Sequence, residues 1–381
     1  MNRYKYTLFL AFFIALVLGW SACEDDPGLG NGDSDGDADG DGDSDGDSDS
    51  DSDGDSDGDS DGDADKDAGV MEMNCSSCPA VGTSLDNILC ALDICDTGIV
   101  SDNKVGSAMA FTQQCEIEDT YEAVKRFGDA TNGLKPRLND SYALLATGKA
   151  NPASGLHSDD CTHYTFVDGL KDPWVKDSQS IYDVVEWSIT MTAPAGAKSF
   201  RFKYVFFSEE YDDYISSEYN DKFYVILNAP QTTAGKDKVI NYTDCRDPYQ
   251  YYDFTGPDCD TKTGYCCYIA INSALSDCCW YPQNSEHVDD SPALDKCPVD
   301  TGEPTDITGT GYECAKDAFN DEDIHGSSTG WVQTSWPIKS NETFTIKFHL
   351  HDTRDALWDS EVILDAFEFL VSHEQGTIEV E

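Results

Sequence analysis

Apolar side chains at every second position constrain the fold of this chain more than any other feature. In residues 199–209, Phe and Tyr alternate with Arg201 and Lys203, and residues 343–352 and 185–196 follow the same period. A period of two places alternate side chains on opposite faces of a β-strand. Many such runs, separated by Gly and Pro turns, predict an all-β domain, an antiparallel β-sandwich or jelly roll.

Local patterns make the expected elements more specific. A Pro-Gly turn separates residues 185–196 from residues 199–209, which predicts that these two strands form a hairpin. Helical spacing of apolar residues predicts a helix over residues 119–127. We expect residues 361–371 to form the last strand of a domain that runs from 71 to 376, with residues 377–381 as a tail.

The first 22 residues read as a secretory signal peptide. A basic start precedes the apolar run Leu8–Trp20, which is too short to span a membrane comfortably. The run ends in Ser21, Ala22 and Cys23, which resembles the lipobox of bacterial lipoproteins and predicts lipidation of Cys23. The alternative is ordinary cleavage after Ala22. Lipidation would anchor the exported chain to the bacterial envelope, at the outer membrane or cell surface.

Residues 23–70 are expected to be a disordered, acidic tether. Aspartate stands at every odd position from Asp33 to Asp67, and residues 24–70 contain 21 acidic residues and one lysine. With no apolar residue larger than Ala inside this aspartate repeat, nothing offsets the entropy of ordering it. The repeat also resembles the start of a calcium loop, but it lacks the bidentate Glu of an EF-hand and its flanking helices.

The charge of the chain limits its partners. The formal net charge is −50, and the chain remains acidic beyond the tether. Phosphate recognition needs clusters of Lys and Arg, so nucleic acid is not an expected partner. An acidic surface is also repelled by anionic membranes. The expected contact with the membrane is therefore the lipid on Cys23, and any further ligand, a protein or a glycan, is not identified by sequence.

Cysteine usage favours an exported protein with disulfides. There are 15 cysteines, and setting Cys23 aside for lipid leaves an even number. An oxidising envelope favours disulfides over zinc, although the Cys75–Cys78 spacing resembles a zinc knuckle. The candidates form an early and a late group, each even in number: Cys75, Cys78, Cys90, Cys95, Cys115 and Cys161; and Cys245, Cys259, Cys266, Cys267, Cys278, Cys279, Cys297 and Cys314.

Two further segments invite a functional interpretation. Residues 241–311 are rich in Cys, Pro, Asp and Tyr without a sustained period, so we expect a long disulfide-stapled insertion that projects from the sandwich. His349 and His351 have the spacing of a zinc-binding pair on one strand face. Because they share that face with Lys347, the preferred interpretation is that both histidines face solvent.

Several motifs resemble the choice-of-anchor L domain family of bacterial secreted and envelope proteins. They are residues 206–211 (FFSEEY) with 219–223 (YNDKF), residues 329–334 (TGWVQT), residues 352–365, and residues 142–148 (YALLATG). The resemblance covers about residues 85–370 in the family's order. It implies an envelope location and a β-sandwich, with no established catalytic activity. This chain has Arg354 where the family usually has Gly.

Carboxylates gather at the ends of the predicted strands. If the strand ends share one edge of the sandwich, these groups converge and repel one another, and a hard cation such as Ca²⁺ would remove that repulsion. Thr353 and Asn220 would add oxygen ligands, whereas Lys222 and Arg354 offer competing ion pairs. The predicted calcium ligands are Glu209, Glu210, Asp221, Asp352, Asp355 and Asp359.

Two other interpretations of the same carboxylates remain open. Glu209 or Glu210 opposite Asp355 is a candidate pair for glycoside hydrolysis, with Tyr211, Tyr214, Tyr219 and Trp358 nearby as aromatic groove residues. The domain is otherwise a purely structural envelope component. No carboxylate is marked by sequence as having a raised pKa, so we expect a non-catalytic domain for adhesion or ligand binding.

Overall fold

The structure is a computed structural model, and it describes most of the region that the sequence assigns to the folded domain. The described residues are 69–71, 73, 81–96, 98–106, 116–128, 134–150, 170–210, 214, 217–247, 249–276, 312, 326–355, 358–374 and 377–380. All of them belong to one compact unit, Asp63–Glu381. The predicted signal peptide, Cys23 and the predicted tether up to residue 68 lie outside this part. Within it, no helix has the length and apolar character needed to cross a membrane.

β-Strands of 2 to 12 residues dominate the described chain, with one α-helix and one 3-10 helix. In chain order the elements are β1 Val70–Met71, α1 Leu85–Ala91, β2 Val100–Gly106, the 3-10 helix Ile117–Thr120, β3 Tyr121–Val124, β4 Tyr142–Ala146, β5 Ile181–Thr192, β6 Ser199–Ser208, β7 Lys222–Asn228, β8 Asp237–Val239, β9 Tyr242–Asp244, β10 Cys266–Ala270, β11 Ser327–Ser328, β12 Val332–Pro337, β13 Thr343–Thr353, β14 Ser360–Leu370 and β15 Thr377–Val380.

The strands form two antiparallel sheets, which confirms the predicted β-sandwich. The first sheet has the order β15-β12-β6-β14-β4-β3, with β1 beside β14 and β11 beside β6. The second has the order β2-β5-β13-β7-β10-β9, with β8 beside β7. Hence β6 and β14 lie inside the first sheet, and β13 and β7 lie inside the second.

The main core fills the space between the sheets. Alternate side chains of β6, including Phe200, Phe202 and Phe206, pack there with Trp187 of β5 and Phe348 of β13. The rings contact one another directly: the centroids of Phe202 and Phe348 lie 5.5 Å apart, as do those of Trp187 and Phe348. The period-two pattern therefore reports the faces of these strands correctly.

The predicted hairpin of residues 185–196 and 199–209 is wrong. β5 pairs with β2 and β13 in the second sheet, whereas β6 pairs with β12, β14 and β11 in the first. The turn between β5 and β6 therefore crosses from one sheet to the other. Alternation shows which side chains face the core, but it is the same for strands that pair edge to edge and for strands that face each other.

The predicted helix over residues 119–127 is also wrong. The chain forms a 3-10 helix up to Thr120 and then β3, which pairs with β4. Both faces of β3 are buried, because Tyr121 and Ala123 enter the main core while Val124 joins a second apolar cluster. Burial on both faces removed the alternation. The α-helix that does form is α1, where Ser84 caps the first turn by accepting a hydrogen bond from the N–H of Asn87 at 3.1 Å.

Both ends of the predicted domain need correction. β1 begins at Val70, inside the expected tether, and pairs with β14. The predicted tail at residues 377–381 is wrong for residues 377–380, because they form β15, which pairs with β12 at the edge of the first sheet. Each strand is too short for its period to be recognised in the sequence, and each is held by its neighbour.

The insertion of residues 241–311 is partly built into the second sheet. β10 pairs with β7 on one side and with β9 on the other, and all residues of β10 are buried. The projecting segment that we expected therefore does not include β9 and β10, while residues 277–311 lie outside the described residues. The sequence missed β10 because its cysteines, like its apolar residues, are buried on both faces.

The described cysteines are in disulfides, as predicted. Cys245 is bonded to Cys267 and Cys259 to Cys266, both within the late group. The two bridges fasten the segment around β9 and β10 to itself. Cys90 is also disulfide-bonded, and so is Cys95. The other candidates, Cys75, Cys78, Cys115, Cys161, Cys278, Cys279, Cys297 and Cys314, lie outside the described residues.

Candidate metal site at one end of the sandwich

Strand ends from both sheets meet at one end of the sandwich. In the first sheet, β6 ends at Ser208, which is the Cα partner of Ser360 at the start of β14. In the second sheet, β13 ends at Thr353 beside the start of β7 at Lys222. The loops that follow β6 and β13 and precede β7 and β14 therefore lie together. These loops and the end of β13 carry the predicted calcium ligands, here called the acidic cluster: Glu209, Glu210, Asp221, Asp352, Asp355 and Asp359.

Asp221 joins the two sheets through its carboxylate. Its Oδ1 accepts a hydrogen bond from the backbone N–H of Thr353 at 2.9 Å, and its Oδ2 accepts one from the hydroxyl of Ser360 at 2.8 Å. Burial raises the pKa of Asp221 to about 8; these two hydrogen bonds oppose the shift, and the charge of Asp355 adds to it. One buried carboxyl group therefore ties the sheets together but is costly to ionise.

Glu209 and Asp359 hold two of the loops side by side. The N–H of Asp359 donates to Oε2 of Glu209 at 3.1 Å, and the N–H of Glu209 donates to the carbonyl of Asp359 at 3.4 Å. The turn after β4 closes over this pair at Gly148, where a Cβ atom would lie 1.9 Å from Oδ2 of Asp359. Only glycine leaves room for the Asp359 carboxylate in this position.

Glu210 and Asp355 are the remaining acidic residues that affect Asp221. Oε2 of Glu210 accepts a hydrogen bond from the N–H of Asp221 at 3.2 Å. Burial raises the pKa of Glu210 well above its ordinary value, and the charges of Asp221 and Asp355 raise it further. Asp355 itself is half-buried. These carboxylates therefore disfavour one another's ionisation when no cation is bound.

Asp352 is the member of the cluster with the fewest compensating contacts. Its side chain is 0% exposed, and neither carboxylate oxygen has a hydrogen-bond partner among the described residues. Burial raises its pKa well above the ordinary value, and the charges of Asp221, Asp183 and Asp359 raise it further. The hydroxyl of Thr147 lowers this pKa, but its hydrogen bonds go to the backbone at the start of β14. A buried carboxyl group without hydrogen-bond partners needs either a bound ligand or a proton to offset the cost of its burial.

Asp183 is a member of this site that the sequence did not identify. It lies in β5, is buried, and is near enough to Asp352 to raise the pKa of that carboxyl. Its backbone has a φ of 42°, a left-handed conformation that is uncommon for a residue in a strand. The sequence signal for this residue was an acidic side chain next to the apolar Val184, and such a pattern does not predict a left-handed backbone.

Lys222 and Arg354, the two basic residues predicted to compete with calcium for the carboxylates, make their main contacts outside the acidic cluster. The Nζ of the buried Lys222 donates to the carbonyl of Asn220 at 2.9 Å and lies 3.9 Å from a carboxylate oxygen of Asp253. Arg354 forms an exposed ion pair with Glu218 at 2.9 Å. Arg354 has a φ of 81°, a conformation that glycine adopts without strain. Lys222 lowers the pKa of Asp221 through its charge but does not satisfy the cluster.

The two neutral residues proposed as extra oxygen ligands behave differently. Oδ1 of Asn220 accepts a hydrogen bond from the N–H of Asn272 at 3.0 Å, so this side chain is occupied by the insertion. Oγ1 of Thr353 is buried and has no hydrogen-bond partner in the described part of the chain. Thr353 therefore fits the expectation better than Asn220.

The carboxylates are not arranged around a ready-made coordination sphere. Among the described residues, no three His, Cys, Asp or Glu side chains are positioned to hold a metal ion as they stand. Binding a cation would require side-chain rotations, such as turning Asp221 away from Ser360. Ca²⁺ tolerates irregular geometry and takes six to eight oxygen ligands, so the chemistry of this donor set suits it better than zinc.

The expected solvent exposure of the histidine pair is wrong for His351. His351 is fully buried, and His349 is only slightly exposed. Nε2 of His349 lies 3.1 Å from Nδ1 of His351, and Nδ1 of His349 lies 3.2 Å from Oε2 of Glu186. Burial, followed by the charge of His349, lowers the pKa of His351 well below its ordinary value. Tyr224 and the neighbouring loop cover this face of β13.

The fold and the site together define an antiparallel two-sheet β-sandwich with a buried carboxylate cluster between the sheet ends. Comparison of the chain with protein-family models, with curated proteins and with solved structures finds no match.

Proposed function

We propose that this chain is an exported bacterial lipoprotein that displays a calcium-stabilised β-sandwich for adhesion or ligand binding. In this proposal, lipid on Cys23 anchors the chain to the envelope, and the acidic tether holds the sandwich away from the membrane. The disulfides of Cys245–Cys267 and Cys259–Cys266 support an oxidising compartment. The motifs that resemble the choice-of-anchor L family support the same location.

The observation that carries the calcium proposal is Asp352. Like charges surround a carboxyl group that is fully buried and has no hydrogen-bond partner in the described structure. A bound Ca²⁺ would supply the missing partner and would turn the repulsion with Asp221 and Asp359 into shared coordination. Since these residues come from both sheets, the ion would fasten the end of the sandwich.

A binding role is favoured over glycoside hydrolysis by the exposure of the candidate acid. Glu210 has the raised pKa that a general acid needs, but its side chain is 1% exposed. A glycosidic oxygen must come within hydrogen-bond distance of the acid, and a buried Glu210 does not permit this contact. The raised pKa is explained by burial beside Asp221 without a catalytic role.

Calcium should raise the melting temperature of the protein. The sample is the full chain with Cys23→Ala, which is free of lipid, and melting is followed by intrinsic fluorescence in EGTA and in Ca²⁺. At 100 times its dissociation constant, one ion bound only to the folded state stabilises by about 2.7 kcal/mol. A domain of this size gains about 2–4 °C for each kcal/mol. Magnesium at the same concentration controls for loose binding to the tether, and equal curves in Ca²⁺ and EGTA would refute the cation site.

Replacing Cys23 should release the protein from the membrane. Wild type and Cys23→Ala are expressed in a bacterial host with a radiolabelled fatty acid, and membrane and soluble fractions are compared. We expect label on the wild type alone and recovery of Cys23→Ala in the soluble fraction. Because Ser21 lies next to the same boundary and is not a lipid acceptor, Ser21→Ala is the matched control. Equal labelling of both cysteine forms, or of neither, would contradict the anchor.

A further inference from the structure

A cavity of about 490 Å³ lies on the outer face of the second sheet. Its floor consists of side chains that point away from the main core on four neighbouring strands, β2, β5, β13 and β7. Small-molecule sites in proteins have volumes of about 300–1,000 Å³, so this cavity is large enough to hold a ligand. None of the six residues of the acidic cluster lines it. The cavity is therefore a candidate site separate from the proposed cation site.

Two small residues create the depression in the floor of this cavity. Ser188 stands directly across from Lys104 of β2 and from Lys347 of β13, and Gly106 stands across from Glu186. A Cβ atom at Gly106 would meet nothing within 4 Å. The long side chains on the neighbouring strands therefore enclose space that the two small residues leave open.

The segment before β5 forms an apolar wall of the cavity. The N–H of Trp174 donates to Oδ1 of Asp172 at 2.9 Å, and the N–H of Asp172 donates to the carbonyl of Gln179 at 2.8 Å. These bonds hold the wall in place before any ligand arrives, which lowers the entropic cost of binding. The apolar residues that line the cavity are Leu170, Pro173, Trp174, Ile181, Val184 and Ile226.

Basic residues outnumber acidic ones in the lining, which reverses the balance of the chain. The lining contains three lysines and two acids, whereas the whole chain has 24 basic and 74 acidic residues. The Nζ of Lys347 lies 3.5 Å from Glu186 and 3.7 Å from Asp237, so these charges offset one another. Lys104 pairs at 3.0 Å with Asp102, which lies outside the lining. Two of the three lysines are therefore already neutralised.

Lys171 is the lysine of the cavity whose charge is not offset. It is exposed, and its Nζ donates to the hydroxyl of Ser180 at 2.7 Å rather than to a carboxylate. It stands three residues before Trp174, on the wall of the cavity. An ammonium group without an acidic partner in so acidic a chain is suited to pair with an anionic group of a ligand.

We propose that this cavity binds a small organic acid, with one carboxylate on an apolar body. The apolar body would lie against Trp174 and the other apolar lining residues, where its burial supplies affinity. The carboxylate would pair with Lys171 and remain near solvent, so that little of its hydration is lost. A second carboxylate on the ligand would be repelled by Glu186 and Asp237. Because no residue of the acidic cluster takes part, this proposal does not rest on calcium binding.

The test compares two probes that share one apolar body, phenylbutyrate and its neutral amide, phenylbutyramide. Each is titrated into the full chain with Cys23→Ala and followed by ligand-observed NMR. We expect the acid to bind about fivefold more tightly than the amide, the most that an exposed ion pair supplies. Lys171→Met should remove this preference and leave the amide bound as before. Lys262→Met removes an exposed lysine of the insertion, outside the lining, and should keep the preference.

Gly106→Ile tests whether the probes occupy this cavity. Isoleucine favours a strand, and the added Cβ meets nothing within 4 Å, so the variant should melt no lower than its parent. Its side chain would fill the cavity and prevent both probes from binding. The proposal is wrong if neither probe binds the parent, if acid and amide bind equally, if the preference survives Lys171→Met, or if a folded Gly106→Ile still binds. The probe comparison and Lys171→Met decide the question even where Gly106→Ile does not fold.

Discussion

Asp352→Asn should raise the melting temperature of the calcium-free protein and should abolish its response to calcium. In the absence of the ion, wild type keeps at 0% exposure a carboxyl group whose oxygens have no hydrogen-bond partner in the described structure. Burying an unsatisfied polar group costs roughly 1–3 kcal/mol. The neutral amide avoids the repulsion from Asp221 and Asp359.

The same substitution removes a ligand that calcium needs. Wild type should gain about 2.7 kcal/mol from calcium at 100 times the dissociation constant, whereas Asp352→Asn should gain much less. The two proteins are therefore expected to change order: the variant is the more stable in EGTA, and wild type is the more stable in Ca²⁺. This reversal is not expected for a residue whose role is only to pack.

Melting of both proteins in EGTA and in Ca²⁺ measures the reversal directly. The tether is present in both, so loose calcium binding there cancels in the comparison. Asp102→Asn, which removes an exposed carboxylate paired with Lys104 at 3.0 Å, is the matched control and should change little in either condition. A variant that melts below wild type in EGTA, or that keeps the full calcium shift, would show that Asp352 is not an unsatisfied ligand.

The pH dependence of wild type without calcium has the same origin. Burial raises the pKa of Asp352 and of Glu210 above their ordinary values. A group with a raised pKa in the folded state contributes stability at low pH that is lost as pH rises through the folded value. Protons and calcium therefore stabilise this end of the sandwich as alternatives, and calcium should bind more weakly as pH falls.

Strand positions could be predicted from sequence, but strand partners could not. The alternation in 199–209 and 343–352 identified β6 and β13 because each strand has one face in the core and one more polar face. It failed at residues 119–127, where both faces of β3 are buried. Pairing depends on which strands meet across the core, and that information lies in packing between distant segments.

The sequence predicted the convergence of the acidic cluster from the positions of its residues at strand ends. Glu209 follows β6 of the first sheet and Asp352 lies at the end of β13 of the second, so their convergence also required that the two sheets end together, which the sequence left as a condition. The burial of these carboxylates could not be predicted from sequence, because a carboxylate at the end of a strand usually faces water. Asp183 was not identified at all, since its left-handed backbone within β5 is imposed by the surrounding fold.

A second carboxyl pair lies where the end of α1 meets β14. Asp93 follows α1, and Asp365 stands in β14 where the register shifts; both side chains are buried. The N–H of Ala366 donates to Oδ2 of Asp93 at 3.1 Å and to Oδ1 of Asp365 at 2.7 Å. Asn139 also donates to Asp93. The pair therefore fastens the end of α1 to the irregular part of β14.

The two carboxyl groups of this pair favour a shared proton. Burial raises the pKa of Asp93 to about 8, and the charge of Asp365 adds to the shift. Burial also raises the pKa of Asp365 to about 6, although a hydrogen bond from the backbone of Arg137 opposes this. At neutral pH the favoured state has a protonated Asp93 that donates to an ionised Asp365. The pair contributes stability at low pH that is lost as pH rises towards about 8.

Asp93→Asn should gain stability relative to wild type as pH rises from 5 to 9, and it should be clearly the more stable protein at pH 9. The amide stays neutral at both values and donates to Asp365, but it has one acceptor oxygen where Asp93 uses two, a loss of roughly 0.5–1.5 kcal/mol. Wild type loses about 1.4 kcal/mol for each pH unit between the ordinary pKa of Asp93 and its folded pKa of about 8, because in that range only the folded state keeps the proton. We therefore expect a gain of ~2 kcal/mol or more for the variant at pH 9. Urea unfolding in EGTA at pH 5, 7 and 9 measures this gain, because the acidic cluster contributes equally to the two proteins. Asp140→Asn, at an exposed position beside Asn139, should follow wild type at every pH. Parallel pH profiles for Asp93→Asn and wild type would mean that Asp93 is already ionised in the folded protein.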